Sequence, residues 1–317
     1  MADAVLAVTV PLVSVNLPAY QQLDLARRSV ASICAQSYRN LEITLLDDGR
    51  SDEYKAFVET LRDGRVHYQS NPERLGAMKN MFQAIAAGSG AYSIAFHEDD
   101  ILGRHFVAAA VSILERHPDC GFVAAELLEF KDEPSEEQLS LAADPRAYDL
   151  IPSGADFVRA VCRGRNPMFG SVVYRRSALP REPMPHEEFG PLVDRPFLLT
   201  ILRTWAAAII RQPLVWYRHH PGDERHGGMR APHILRLFDT YRSTLPVPLN
   251  TDDREAFGEY AGYWLPKLYT LLPEEHRPPM GGFLLRAWRE GLYDPFRGHA
   301  RKRIAWAVLT GTCPRLA

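Results

Sequence analysis

The chain has 317 residues, with 37 Lys and Arg against 39 Asp and Glu, a near-balance that disfavours a generally basic nucleic-acid surface. That length accommodates one large domain, or one domain plus an extension, around a sizeable core. Its four cysteines, Cys34, Cys120, Cys162 and Cys313, are scattered with no C-x-x-C pairing, which points to reduced, buried thiols of a cytosolic compartment and away from a disulfide framework.

The opening "MADAVLAVTVPLVSVNLP" lacks a basic leader and is interrupted by Pro11, so it reads as the approach to a strand and not as a signal peptide. "LVSVNLP" is a short β run stopped by Pro18, and "LDLARRSVASICAQS" follows with helical apolar spacing. "LEITLLDDG" predicts a second strand closed by a turn, residues 52–63 a helix, and "RVHYQS" a third strand. "GAMKNMFQAIAAG" predicts a helix ending near Gly88, "AYSIAF" a fourth strand, and "RHFVAAAVSILERH" the next helix. After "CGFVAAELLEF" the pattern weakens, and the acidic, proline-containing stretch 131–152 is expected to be a surface loop. A strand "GSVVYRR", a helix "RPFLLTILRTW" and a strand "AAIIRQPLVWYRHH" come next, and from about residue 230 the chain reads as helical. No run approaches the roughly 18 uninterrupted apolar residues of a spanning helix. The expected location is cytoplasmic, with at most peripheral contact on the inner face of a membrane.

Regular strand–helix alternation predicts an α/β fold with a mostly parallel sheet covered on both faces, and in such sheets ligands bind beyond the carboxyl ends of the strands. Two acidic groups fall there: Asp47–Asp48, and the run Glu98, Asp99, Asp100 in "AFHEDDIL". By itself the second is explained by a solvated turn capping the next helix. Its position after a very apolar strand also suits a hard cation, since Mg²⁺ and Mn²⁺ prefer carboxylates and bridge to phosphate oxygens. "HEDDI" is not H-E-x-x-H, because Ile101 stands at the second histidine position, and no glycine-rich phosphate loop of the Rossmann or Walker type occurs.

Taken in order, "VSVNLPAYQQLDLARRSVASICAQSYRNLEITLLDDGRSD", "NPERLGAMKNMFQAIAAGSGAYSIAFHEDDIL" and "LVDRPFLLTILRTWAAAIIRQPLVWYRHH" resemble the family 2 glycosyltransferases of the GT-A fold. The likeness runs over roughly residues 10–225. It implies a Rossmann-like α/β/α sandwich, placed at 1–229, followed by a helical C-terminal extension at 230–317. It further implies an inverting, metal-dependent enzyme that moves a sugar from a nucleoside diphosphate sugar, UDP-linked by preference, to an acceptor hydroxyl. Pro18, Ala19 and Tyr20 would line the nucleotide base, with Tyr20 stacking on it. Asp48, with Asp47, would accept from a base N–H. Lys79 would face the nucleotide, and Glu98 and Asp99 would lie near the ribose or donor sugar. Asp100 would ligate Mg²⁺ or Mn²⁺, with His220 of "YRHH" near the same ion and His219 and Arg218 as lesser candidates. Asp194 stands at the family's catalytic-base position, ahead of Glu187 and Glu188, and its structural reading is a helix N-cap. The chain departs from the family at Arg50, where Ser is usual, at Glu98, where Asp is commoner, and at Gln21, where Asn is frequent.

The tail "RGHARKRIAWAVLTG" places Arg297, Arg301, Lys302 and Arg303 beside Trp306. It reads equally as a basic amphipathic helix for an anionic membrane and as a packed terminal helix with a solvated face. Cell-surface polysaccharide assembly on a glycan or lipid-linked acceptor is the expected setting, and glycosylation of a small natural product the alternative. A nucleotidyltransferase would need a glycine-rich basic loop that "LPAYQQLDLARR" does not supply. A catalytically silent nucleotide-sugar-binding protein is the remaining rival, against which the acidic cluster and Asp194 both stand.

Overall fold

The computed structural model describes residues 10–144, 146–165, 167–181, 186–219 and 228–292. Contacts group the chain into two compact units. One comprises the residues up to Leu150 with Pro167–Leu179 and Ala207–His219. The other comprises Ile151–Asn166, Pro180–Ala206 and the residues from His220 onward, and so takes segments from both sides of residue 229.

The first unit opens with β1 (Val13–Ala19), α1 (Leu23–Cys34), β2 (Leu41–Asp47), α2 (Asp52–Thr60), β3 (Val66–Ser70), α3 (Ala77–Ala86) and β4 (Tyr92–Ala95). These strands stand in the order β3-β2-β1-β4, all parallel. Val13, Val15 and Leu17 on one face of β1 are fully buried, and so are Ser14 and Asn16 on the other, as expected of a strand covered on both sides. The buried Asn16 donates through Nδ2 to the carbonyls of Ala84 (2.9 Å) and Ala87 (3.1 Å), which occupies carbonyls left open at the end of α3. On α1, the buried stripe Ala26, Ser29, Val30 and Ile33 has the three-and-four spacing of a helix laid on a sheet.

The chain continues with β5 (Ile101–Leu102), α4 (Phe106–Arg116) and β6 (Cys120–Phe130). The stretch 131–152, expected to be a loop, contains α5 (Glu136–Leu139) and β7 (Tyr148–Ile151). A reciprocal capping box between Ser135 and Gln138 starts α5, and Leu139 packs on Ile101, Phe130 and Trp216. Next come α6 (Gly154–Cys162), β8 (Val172–Arg175), α7 (His186–Phe189), α8 (Asp194–Ile201) and β9 (Ala206–Arg218). Among the described residues the completed sheet has nine strands in the order β3-β2-β1-β4-β8-β6-β9-β5, with β7 also on β9. Beyond the parallel group, β8 runs antiparallel to β4 and β6, and β5 antiparallel to β9.

The helices expected after residue 230 are present: α9 (Ala231–Thr244), α10 (Thr251–Thr270) and α11 (Met280–Arg289). Within the second unit, Phe238, Tyr241, Phe257 and Tyr260 form an aromatic core with ring centroids 5.8–6.4 Å apart. Arg159 on α6 grips the buried Asp253 on α10 through two bonds, Nε–Oδ1 at 2.8 Å and Nη2–Oδ2 at 2.9 Å. Among the described residues no helix is long and apolar enough to cross a membrane. The basic tail lies outside the described residues.

Candidate active site

β1 and β2 end in register, Ala19 beside Asp47, and the two turns that follow line a cleft of about 780 Å³. Tyr20, Gln21, Asp48, Arg50, Tyr54 and Arg74 are among its walls. Asp47, fully buried, is spent on the turn itself: it accepts from Gly49 N (2.7 Å), from Ser51 N and from the Tyr68 hydroxyl (2.9 Å). Asp48 reaches across to the α3 entry and accepts from Asn71 Nδ2 (2.9 Å), Leu75 N (2.7 Å) and Gly76 N (2.8 Å). Burial raises its pKa, but these three donors and the nearby Arg74 outweigh that and hold the carboxyl below its ordinary value.

The Tyr20 ring carries the Arg74 guanidinium 4.3 Å from its centroid. Beside it Gln21 adopts φ 59°, and Arg50 adopts φ 55° across the same cleft. Left-handed backbone at two non-glycine residues is uncommon, and it gathers at ligand sites where surrounding bonds enforce it. Here the enforcing bonds are visible. Tyr20 N donates to Glu98 Oε1 at 2.8 Å, the Tyr54 hydroxyl donates to Glu98 Oε2 at 2.6 Å, and Gln22 N donates to the same hydroxyl at 2.8 Å. Pro18 and Ala19 end β1 just before Tyr20 and, contrary to expectation, are not among the residues lining the cleft; Lys79, exposed on α3, is not among them either.

Glu98 therefore joins the cleft to the acidic run at the end of β4. Ligand atoms of His97, Asp99 and Asp100 lie within 4.8 Å of one another. Asp100 is 1% exposed; its Oδ1 accepts from Arg218 N at 2.9 Å and its Oδ2 lies 2.9 Å from His97 Nδ1. Arg218 also donates through Nε to Asp99 O (2.8 Å), and the Ser29 hydroxyl contacts the carbonyls of Glu98 (2.8 Å) and Asp100 (2.6 Å). Burial pushes Asp100 upward against the pull of His97, and pushes Glu98 up to about 7 despite the bonds from Tyr54 and Tyr20. Carboxylates so crowded and desolvated gain from a divalent cation, and this donor set of one imidazole and two carboxylates fits Mg²⁺ or Mn²⁺.

Asp194 belongs to the second unit. It begins α8 instead of capping it: the preceding 3-10 turn Gly190–Leu192 runs straight on, leaving Val193 helical (φ −73°, ψ −17°) with no side-chain cap bond. Its Oδ1 accepts from Arg195 N at 2.8 Å. Glu188 is an exposed partner of Arg236 at 2.9 Å. His219 is exposed, with its amide donating to Phe130 O (2.9 Å), and His220 lies outside the described residues. Sequence reasoning missed Tyr54, Arg74 and the partnership of His97. The last two were signalled weakly, by a basic residue in "NPERLG" and an imidazole abutting the acidic run; Tyr54 carried no signal.

A mixed α/β sheet whose parallel strands end in such a cleft is the GT-A architecture of glycosyltransferases, and solved structures share it. A Pyrobaculum calidifontis mannosyltransferase in complex with GDP-Man and Mn²⁺ superposes with a TM-score of 0.52 at 18% identity, over 96% of this chain and 88% of that one. Staphylococcus aureus TarS 1-349 in complex with UDP-GlcNAc gives 0.52 at 13% identity, over 90% and 93%. The model of glycosyl transferase family 2 matches residues 14–179, more than half of the 317, and the chain belongs to that family. Its curated relatives include an uncharacterized glycosyltransferase of Haemophilus influenzae, 32% identical over 34% of each chain. A putative colanic acid biosynthesis glycosyl transferase of Escherichia coli is 32% identical over 28% of this chain and 33% of its own. A Campylobacter jejuni GalNAc(5)-diNAcBac-PP-undecaprenol β-1,3-glucosyltransferase is 29% identical over 35% and 36%. The chain thus spans about a third of the length of these curated relatives.

Proposed function

We propose that the protein is a metal-dependent, inverting glycosyltransferase that moves a sugar from a UDP-linked donor to an acceptor hydroxyl in cell-surface glycan assembly. The observation that carries this reading is the Tyr20–Glu98 bond, by which one buried carboxylate ties the base-side cleft to the acidic cluster. Tyr20, which follows Pro18 and Ala19 at the end of β1, offers a ring for the base, with Arg74 adding positive charge over it. An ionised carboxylate has about four acceptor sites, and three of those of Asp48 are occupied, so one remains for a base N–H. Lys79 keeps a nucleotide role by its family position alone, since it is exposed on α3 but not among the cleft residues. Asp99 and Asp100, with His97, would hold the ion, and His220 is the further expected ligand. A bound Mg²⁺ or Mn²⁺ supplies Lewis acidity for the negative charge that grows on the departing diphosphate.

Inversion requires the acceptor oxygen to attack the anomeric carbon from the face opposite the diphosphate while a base takes its proton. Asp194 is assigned that proton, at the carboxylate whose Oδ1 is already oriented by the Arg195 amide. The lipid-linked substrate in the name of the Campylobacter relative supports an undecaprenyl-type acceptor, which the basic tail would meet at the membrane. Asp194→Asn keeps the oriented oxygen and removes the basicity. We expect donor affinity and melting temperature near wild type, with transfer reduced by about two to four orders of magnitude. Near-normal transfer by Asp194→Asn, with loss in Glu188→Gln, would reassign the base.

A further inference from the structure

Within the second unit, α7, α8, α9 and the entry to α6 enclose a groove of about 560 Å³ that the transfer chemistry above does not use. Small-ligand sites run to roughly 300–1,000 Å³. Arg236, Thr240 and Thr244 line it at steps of four along α9, and Pro196, Leu199 and Thr200 line it from α8. At 3.6 residues per turn, these three α8 residues lie about 140–240° round the helix axis from Asp194. The groove is therefore behind the helix that carries the assigned base.

Its hydrogen-bonding capacity is one-sided. A threonine hydroxyl has one proton to give and two lone pairs with which to accept. Here the protons are already given to backbone: Thr200 Oγ1 donates to Phe197 O at 2.7 Å, Thr240 Oγ1 to Arg236 O at 2.8 Å, and Thr244 Oγ1 to Thr240 O at 2.7 Å. These side chains are left to accept, and Glu188 on α7 adds a carboxylate to the same wall. Arg236 Nε holds that carboxylate at 2.9 Å, and Arg203 supplies a second guanidinium. The buried Pro196, Leu199 and Leu202 make the apolar part of the wall. An ionised phosphate brings acceptors to acceptors and meets the charge of Glu188. A saccharide instead brings several O–H donors for the threonines and Glu188, oxygens for the guanidiniums, and a C–H face for the apolar wall.

We propose that this groove is a saccharide subsite, set behind α8 and apart from the reacting position. In a glycosyltransferase its occupant is a sugar unit of the acceptor glycan other than the one attacked. The proposal rests on the transfer reading only for that source of the sugar; binding itself is measured without turnover.

The test uses the full chain labelled with ¹³C-methyl leucine, titrated through the millimolar range with glucose, galactose, N-acetylglucosamine or N-acetylgalactosamine, and separately with inorganic phosphate. At least one sugar should move the Leu199 and Leu202 methyl resonances saturably, and phosphate should not. Thr240→Val keeps the shape and removes an acceptor, so it should weaken that sugar about three- to tenfold, with the other methyl resonances in place. Arg203→Met, at an exposed position, should weaken it by about tenfold or more and carries the test if Thr240→Val fails to fold. Asp194→Asn should bind the sugar in the groove as the wild type does, so that failure of the base assignment and failure of the subsite are read separately. No response to any of the four sugars, a response to phosphate alone, or sugar shifts undiminished in Arg203→Met overturns the proposal. Loss of the sugar shifts in Asp194→Asn overturns the placement behind α8.

Discussion

Glu98 receives the Tyr54 hydroxyl on one oxygen and the Tyr20 amide on the other, inside a site that leaves it 8% exposed. Burial dominates, raising its pKa from 4.5 to about 7. Because the folded-state value lies above the unfolded one, the native state binds this proton more tightly. The associated stability is fully present below about pH 4.5 and is lost as pH rises through about 7. In metal-free protein, the stability of Glu98→Gln relative to wild type should therefore increase from pH 4.5 to 8, by roughly 3 kcal/mol. Urea unfolding of both proteins across that range measures it, and parallel pH profiles would refute the burial argument. Tyr54 has the complementary role, since its hydroxyl holds both Gln22 N and Glu98. Tyr54→Phe should cost about 1–2 kcal/mol and raise the donor KM several-fold with little change in kcat, because the turn carrying Tyr20 loosens far from the bond being broken. An unchanged donor KM would reduce Tyr54 to a packing residue.

Among the elements, the parallel strands that carry the site depend on close approach at their far end. A Cβ at Gly90 would lie 2.6 Å from Leu12 O and 2.8 Å from Ser14 N, both backbone atoms that cannot swing aside. Gly90 N also donates to the Ser14 hydroxyl at 2.9 Å, which anchors the entry to β4 against β1. Gly90→Ala should therefore destabilise the protein by on the order of 3 kcal/mol, read as a lower urea midpoint at unchanged slope. Wild-type stability in that variant would mean the β1–β4 approach has slack that the static packing hides. The long periodic elements were legible in the chain; β5 and β7 were not. β5 is two residues long, and β7 is ordered by pairing to β9, a partner distant in sequence that no local period can announce.

For the whole molecule, the division into two units places the acidic cluster and Asp194 in different ones. The base assignment therefore rests on chemistry and family position, and the Asn substitution above decides it. The tail makes a separate prediction. Removing residues 295–317, which takes away Arg297, Arg301, Lys302 and Arg303, should reduce co-sedimentation with phosphatidylserine vesicles while leaving UDP binding intact. A truncated protein that fails to fold would instead show that the tail is a packed helix.

From the sequence alone came the alternation of strands and helices, the α/β class, and the strand-end position of Tyr20, Asp48 and Glu98–Asp100. These properties are local: periodicity fixes the element, and chemistry-bearing residues adjacent in the chain stay adjacent in space. The division of labour among those residues was decided by tertiary contacts. Glu98 became a clamp because Tyr20 lies 78 residues away and Tyr54 44 residues away in sequence. Asp100 became the inner carboxylate because Arg218, 118 residues on, closes over it. A residue's type limits what it can donate or accept, but only the fold determines which partners are within 3 Å to receive it.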